Sequence, residues 1–167
     1  MGYRNKTYII FDGDNDIWAY RFMKGWRANK NIDFNFHDAH DINRLTNNAR
    51  SPEYVKKKLK ERFKSAKQII VLIGDKTKNL YRYVRWELEV AQTLDLPIIA
   101  VNLNNLRSQD IERVPPIIRD KYVVHIPFKL AIIKFALDNF PNEYHRRQSV
   151  DIGSRYYSDD IYQKLGI

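Results

Sequence analysis

The segment NLYRYVRWELEVAQTLDLPIIAV, residues 79–101, holds a helix and a buried strand in succession. At about 100° per residue, Leu80, Val84, Leu88, Ala91 and Leu94 fall on one apolar stripe. A one-sided helix feeding a continuous apolar strand is the repeating unit of a parallel α/β sheet. One residue breaks the pattern. Glu87 falls inside the stripe, between Ala91 and Leu94, while Glu89 turns to the far side.

Outward from that unit, four more short runs read as strands. They are TYIIF (7–11), DFNFH (33–37), QIIVLIG (68–74) and YVVHI (122–126), and PIIAVNL (97–103) completes the set. DFNFH alternates, as an edge strand would, whereas QIIVLIG and PIIAVNL are continuous and suit strands covered on both sides. Helical patterns lie at about 15–28, 52–65, 79–95 and 127–140, with Ser51 and Pro52 as a start signal for the second. The stretch from Asn104 to Asp120, limited by Pro115 and Pro116, reads as loop or one short turn. The predicted fold is α/β: a flavodoxin-like open parallel five-stranded sheet with helices on both faces. Residues 1–140 make the domain, and 141–167 form a tyrosine-bearing extension expected to pack on it or at an interface.

The chain has 167 residues, 44% of them apolar, which is enough for one domain with a real core. It has no apolar run of about 18 residues, no signal-peptide core in MGYRNKTYIIF and no cysteine. The expectation is a cytoplasmic protein that does not engage the membrane. The net charge is +9. Much of the excess sits in VKKKLKERFKSAK, residues 55–67, where Val55, Leu59 and Phe63 recur every four residues. No stacking aromatics interleave with the lysines, so a solvated helix face is expected there and no nucleic-acid partner.

In open α/β sheets, ligands sit outside the carboxyl ends of the strands. Here those ends are polar: DGDND from Asp12, HDAHD from His37 and GDKTKN from Gly74. Helix capping and tight turns account for these acids, and so would a ligand site. Asp12, Asp14 and Asp75 imitate a phospho-receiver's Mg²⁺ site, but the chain reads VVHIPFK where a receiver needs its lysine at the last strand. His37 and His40 stand without cysteines to complete a zinc site. No metal is expected. A lone carboxylate on an apolar helix edge costs free energy unless it is paired or neutralised. Glu87 is therefore either a salt-bridged or rim residue, or one held for chemistry.

YRYVRWELEVAQTLDLPIIAV resembles the third-helix segment of TIR domains. Their pattern sets an aromatic four residues before a functional Glu, an aliphatic after it and an Ala four residues on. Here those places hold Tyr83, Glu87, Leu88 and Ala91. YIIFDGDNDIWAYRFMKGW is similar to the first strand and acidic first loop of the divergent TIR-like branch found in Thoeris anti-phage systems. The likeness runs from Thr7 to about Phe140. It implies cleavage of NAD, as substrate and with no cofactor, at the nicotinamide–ribose bond, with Glu87 as the catalytic carboxylate. It also implies a cyclic ADP-ribose product that activates an effector protein, a phage-derived trigger, and self-association to complete the pocket. Phe11, Asp12, Asp14, Asp38 and Tyr83 would then line the substrate, although Phe11 reads equally as core. Trp86 faces outward on the wheel, toward the extension or a partner subunit. The rival reading is a non-catalytic TIR-like scaffold, which has no use for Glu87.

Overall fold

Alternation along the strands sorts the core into two halves. The computed structural model describes residues 6–36, 51–80, 83–147 and 153–167. Within them β1 (Thr7–Ile10), β2 (Gln68–Ile73), β3 (Ile98–Asn102), β4 (Val124–Pro127) and β5 (Arg155–Tyr156) lie side by side in that order, each pair parallel. Ile9, Ile70, Leu72, Ile99, Val101, Val124 and Ile126 point to one face. Tyr8, Ile10, Ile69, Val71, Ile73, Ile98 and Ala100 point to the other, because successive side chains alternate across a sheet.

Helices cover both faces. On the first lie α1 (Ile17–Ala28), through Ala19, Tyr20 and Met23, and α5 (Leu130–Arg147), through Ile132, Ile133, Ala136, Leu137 and Phe140. On the second lie α2 (Pro52–Phe63), α3 (Tyr83–Thr93) and the short α4 (Pro116–Arg119). The start of α2 follows its sequence signal: the Ser51 hydroxyl accepts from the Tyr54 amide at 3.3 Å, with Pro52 in the first turn. This is a flavodoxin-like α/β arrangement.

Three sequence expectations are corrected. Residues 33–36 form no strand, and His37 lies outside the described residues. Phe34 and Phe36 alternate inward as a strand would have them, yet they pack on Trp26 and Tyr20 at 5.8 Å ring separation. Local bonds take up the backbone there: the Phe36 amide donates to the Asn35 side chain at 2.9 Å and the Phe34 amide to the Ile32 carbonyl at 2.9 Å. The fifth described strand is instead the two-residue β5, held by the Arg155 amide on the Val123 carbonyl at 2.9 Å. It is followed by α6 (Asp159–Lys164), whose Tyr162 is buried in the first core half.

The last long helix also runs on past residue 140, with Pro141 inside it. Its second half is tied to neighbouring elements by side-chain bonds. The Glu143 carboxylate accepts from the Tyr122 hydroxyl at 2.8 Å and from Arg155 Nε at 2.7 Å. Finally, the third helix begins at Tyr83, after a 3₁₀ turn over Thr77–Asn79, rather than at 79.

Candidate active site

Glu87 sits in the middle of α3 between Val84, Leu88 and Ala91, the residues that seat this helix on the second face. It is 3% exposed. Burial pushes its pKa up to about 8, and the Arg62 guanidinium at the end of α2 pulls the other way. Among the described residues no hydrogen bond reaches the Glu87 carboxyl. Tyr8 of β1 is 2% exposed; burial and the Glu87 charge raise its pKa, while the Arg62 charge opposes that. The Tyr8 ring rests on Phe63 at 4.5 Å, beside Arg62 in the chain.

Glu89, two residues on, is the opposite case. Lys56 Nζ lies 2.5 Å from one oxygen and Arg85 Nε 3.0 Å from the other. Those partners, Lys56 first, hold its carboxyl below the usual range. One helix thus carries a carboxylate stabilised as an anion at the surface and another pressed toward neutrality inside.

The acidic first loop is built differently. The Asp12 carboxylate, 1% exposed, accepts from the amides of Asp14 at 3.0 Å and Asn15 at 3.2 Å, and from the Asn15 side chain at 2.6 Å. That is turn chemistry, and it leads the chain into α1. Asp14 is exposed. Asp16 is buried, and its pKa is raised to about 6, first by burial and then by the charges of Asp12 and Asp75. It lies against Gly74, where a Cβ would collide with its carboxylate. Close approach, and no unusual backbone angle, explains that glycine. Asp75 in turn pairs with Arg113 at 2.5 Å. Among the described residues no group of three or more His, Asp or Glu side chains is placed to hold a metal ion.

The expected site residues therefore divide. Asp12 and Asp14 share one loop with Asp16 at the carboxyl end of β1. Phe11 stacks on Tyr20 at 4.6 Å in the first core half, on the face of the sheet opposite Glu87. Tyr83 is one turn before Glu87 and meets Trp86 edge to face at 5.6 Å. Trp86 is half-buried against the second core half, a correction to its outward placement on the wheel: an indole is wide enough to reach back over the helix edge. Asp38 lies outside the described residues. Tyr8 and Arg62 were missed in sequence, because one is hidden in an apolar strand and the other in a lysine-rich run.

A parallel sheet covered on both faces, with a buried carboxylate on the helix after its second strand, defines a TIR-like α/β domain. The chain belongs to the family described as Thoeris protein ThsB, TIR-like domain, whose model matches residues 8–108. It is thus a Thoeris-type TIR-like defence protein. The matched stretch contains Phe11, Asp12, Asp14, Tyr83 and Glu87, and ends before α4. No curated protein matches the chain. No helix among the described residues is long and apolar enough to cross a membrane.

Proposed function

We propose that this protein is a defence enzyme that, on infection, cleaves NAD at the nicotinamide–ribose bond and releases a cyclic ADP-ribose-type signal for an effector protein. The observation that carries the reading is Glu87, a carboxylate enclosed on a helix whose sequence has the TIR pattern. When the C1′–N bond breaks, nicotinamide leaves with the bonding pair, and positive charge spreads over C1′ and the ring oxygen. A carboxylate already fixed in a partly dry site stabilises that charge better than water, which would have to reorient. A nucleophilic nitrogen of the adenine end then closes the ring, and one proton is released with nicotinamide. Asp12, Asp14, Asp38, Phe11 and Tyr83 are assigned to the substrate's ribose and base.

The charge state of Glu87 fits a resting enzyme. A carboxyl with its pKa raised to about 8 is mostly neutral at pH 7 and offers little to a cation. Dilute protein without a trigger is therefore expected to turn over little NAD. A phage-derived trigger and association with a second copy would complete the site, in the cytoplasm where NAD is available.

The test is mass spectrometry of nucleotides in cells expressing the protein, with and without phage. Glu87→Gln should lower the cyclic product about 100-fold or more, while Glu89→Gln leaves it near wild type. A Glu87→Gln protein that still makes the product at a comparable rate would sink the enzymatic role of this residue. Phage protection without any nucleotide change would favour the scaffold.

A further inference from the structure

The stretch between β3 and α4, residues 103–115, leaves the carboxyl end of β3 and passes from one core half to the other. Near its start, Arg107 lies over the Tyr162 ring of α6, its guanidinium carbon 4.1 Å from the ring centroid and its Nη1 3.7 Å from Asp159. Tyr162 is 1% exposed and belongs to the first core half. At the far end, Val114 and then Ile118 of α4 are fully buried in the second.

Between those ends the segment is bonded to itself. The buried Asn102 side chain donates to the carbonyls of Leu106 at 2.9 Å and Ser108 at 2.8 Å. Asp110 accepts from the Asn104 side chain at 2.8 Å and from the amides of Glu112 at 3.0 Å and Arg113 at 3.2 Å. A loop closed by its own bonds shifts as a unit. Its far end then meets α3 twice. Arg113 pairs at 2.5 Å with Asp75, in the turn that leads toward α3, and Gln92, at the end of α3, donates to the Ile117 carbonyl at 3.1 Å. Glu87 lies between these two attachments.

We propose that the C-terminal helix α6 is a clamp on the Glu87 helix: through Arg107 it holds the 103–115 segment, and that segment holds both ends of α3. Arg107 is thereby a positioning residue for Glu87. The catalytic half of this statement rests on the reading of Glu87 given above; the mechanical half does not. The stack on Tyr162 is the firm part of the grip, because a guanidinium covers an aromatic face and the ring beneath it is fixed in the core. The ion pair adds little, since Asp159 is exposed and solvent screens it. Without the stack, the segment keeps its hold on α3 and on Asp75 but loses its tie to the first core half, and it opens more often.

The experiment is hydrogen exchange of the full chain, read peptide by peptide. Arg107→Ala should speed exchange of residues 103–114 about fivefold or more, and that of α3 to a smaller degree, with α2 unchanged. Tyr162→Phe keeps the ring face and should exchange as wild type, whereas Tyr162→Leu should match Arg107→Ala. Should Tyr162→Leu not fold, Arg107→Ala decides alone, because its side chain is 45% exposed. Unchanged exchange of 103–114 and of α3 in Arg107→Ala overturns the clamp. Where triggered NAD turnover is measurable, Arg107→Ala should lower kcat about threefold or more with KM little changed, since Glu87 acts on the bond being broken, and Tyr162→Phe should keep both. Faster exchange with kcat unmoved overturns the positioning role and leaves a loop tether. Absence of turnover in every protein, wild type included, counts against the NAD reading, and exchange of α3 then decides the clamp.

Discussion

The two faces of the sheet share the same strands and differ in what they bury. Under α1 and α5 the enclosed side chains are mostly apolar; Gln68 donates to Thr7 at 3.0 Å, while Gln68 Oε1 and the hydroxyls of Tyr157 and Tyr162 are enclosed without a hydrogen-bond partner, and none of these is a charged group. The rim acid on that side, Glu143, is bonded to both Tyr122 and Arg155. Under α2, α3 and α4, Glu87 is enclosed without a hydrogen bond among the described residues. His125, which alternates with Val124 and Ile126 and so points to this second face, is fully buried with both ring nitrogens unbonded. Burial drives its pKa down to about 4, so it packs as a neutral ring. Buried polar groups left without partners cost about 1–3 kcal/mol each. Both faces bear that cost; what sets the second apart is that it encloses ionisable groups, the Glu87 carboxyl and the His125 ring.

The widest separation between the faces should come from charge. Glu87 has an ordinary pKa near 4.5 in the unfolded chain and about 8 in the folded one. Below pH 4.5 both states are protonated and the residue costs nothing through ionisation. As pH rises toward 8 the unfolded chain releases its proton and the folded one keeps it, so stability is progressively lost. Each pH unit of displacement is worth about 1.4 kcal/mol. In Glu87→Gln this loss disappears, and the variant should gain on wild type with rising pH, by on the order of 5 kcal/mol near pH 8. Urea unfolding from pH 4 to 9 measures it. A stability difference that does not change with pH would mean that Glu87 is not held neutral, and the contrast between the faces would lose its main support.

Cavities should separate stability from activity. Leu137 on the first face and Leu88 on the second are both fully buried. Either Leu→Ala change should destabilise by about 2–5 kcal/mol, the transfer term plus the void. Beyond that the outcomes diverge: Leu137→Ala should keep its nucleotide output per folded molecule, and Leu88→Ala should lose it, because Leu88 is the residue next to Glu87. Denaturation curves with product normalised to folded protein show which holds. Equal loss of output from both would say that the site depends on the whole core and not on one face.

How much of this was legible in sequence follows from periodicity. QIIVLIG and PIIAVNL run continuously apolar because both of their faces are covered, and that identified the central strands directly. The wheel around Glu87 placed that residue for a related reason, since a helix seated on a sheet buries a contiguous arc and Glu87 falls in it; Leu94, read as part of the same stripe, is instead exposed, because α3 ends at Thr93. DFNFH misled because two alternating phenylalanines satisfy a strand pattern and a loop packed on Trp26 and Tyr20 equally well. β5 was invisible: Arg155 and Tyr156 carry no apolar signal, and the pairing is held by backbone and by Arg155 on Glu143. Of the site, sequence could place single residues on faces, but the charge coupling of Glu87 to Tyr8 and Arg62 spans 79 and 25 positions. No local pattern records such a coupling.

The smallest expected effects belong to the first loop, which touches neither face of the comparison directly. Asp12 uses both carboxylate oxygens, one on the amides of Asp14 and Asn15 and the other on the Asn15 side chain. Asn could replace the first oxygen, but its amide nitrogen would then meet the Asn15 amide nitrogen, donor against donor. Asp12→Asn should therefore cost about 1 kcal/mol, a drop of a few degrees in Tm. Asp14 is exposed, with its carboxylate outside that hydrogen-bonded turn, and Asp14→Asn should stay within about 0.5 kcal/mol of wild type. Nucleotide output then gives the loop its role. If Asp14→Asn lowers the cyclic product while Tm holds, the exposed carboxylate is contacting substrate, and the site reaches from Glu87 around the sheet edge to the end of β1. Full output from Asp14→Asn, with only the Tm loss in Asp12→Asn, would return the loop to turn chemistry and confine the reacting groups to the second face.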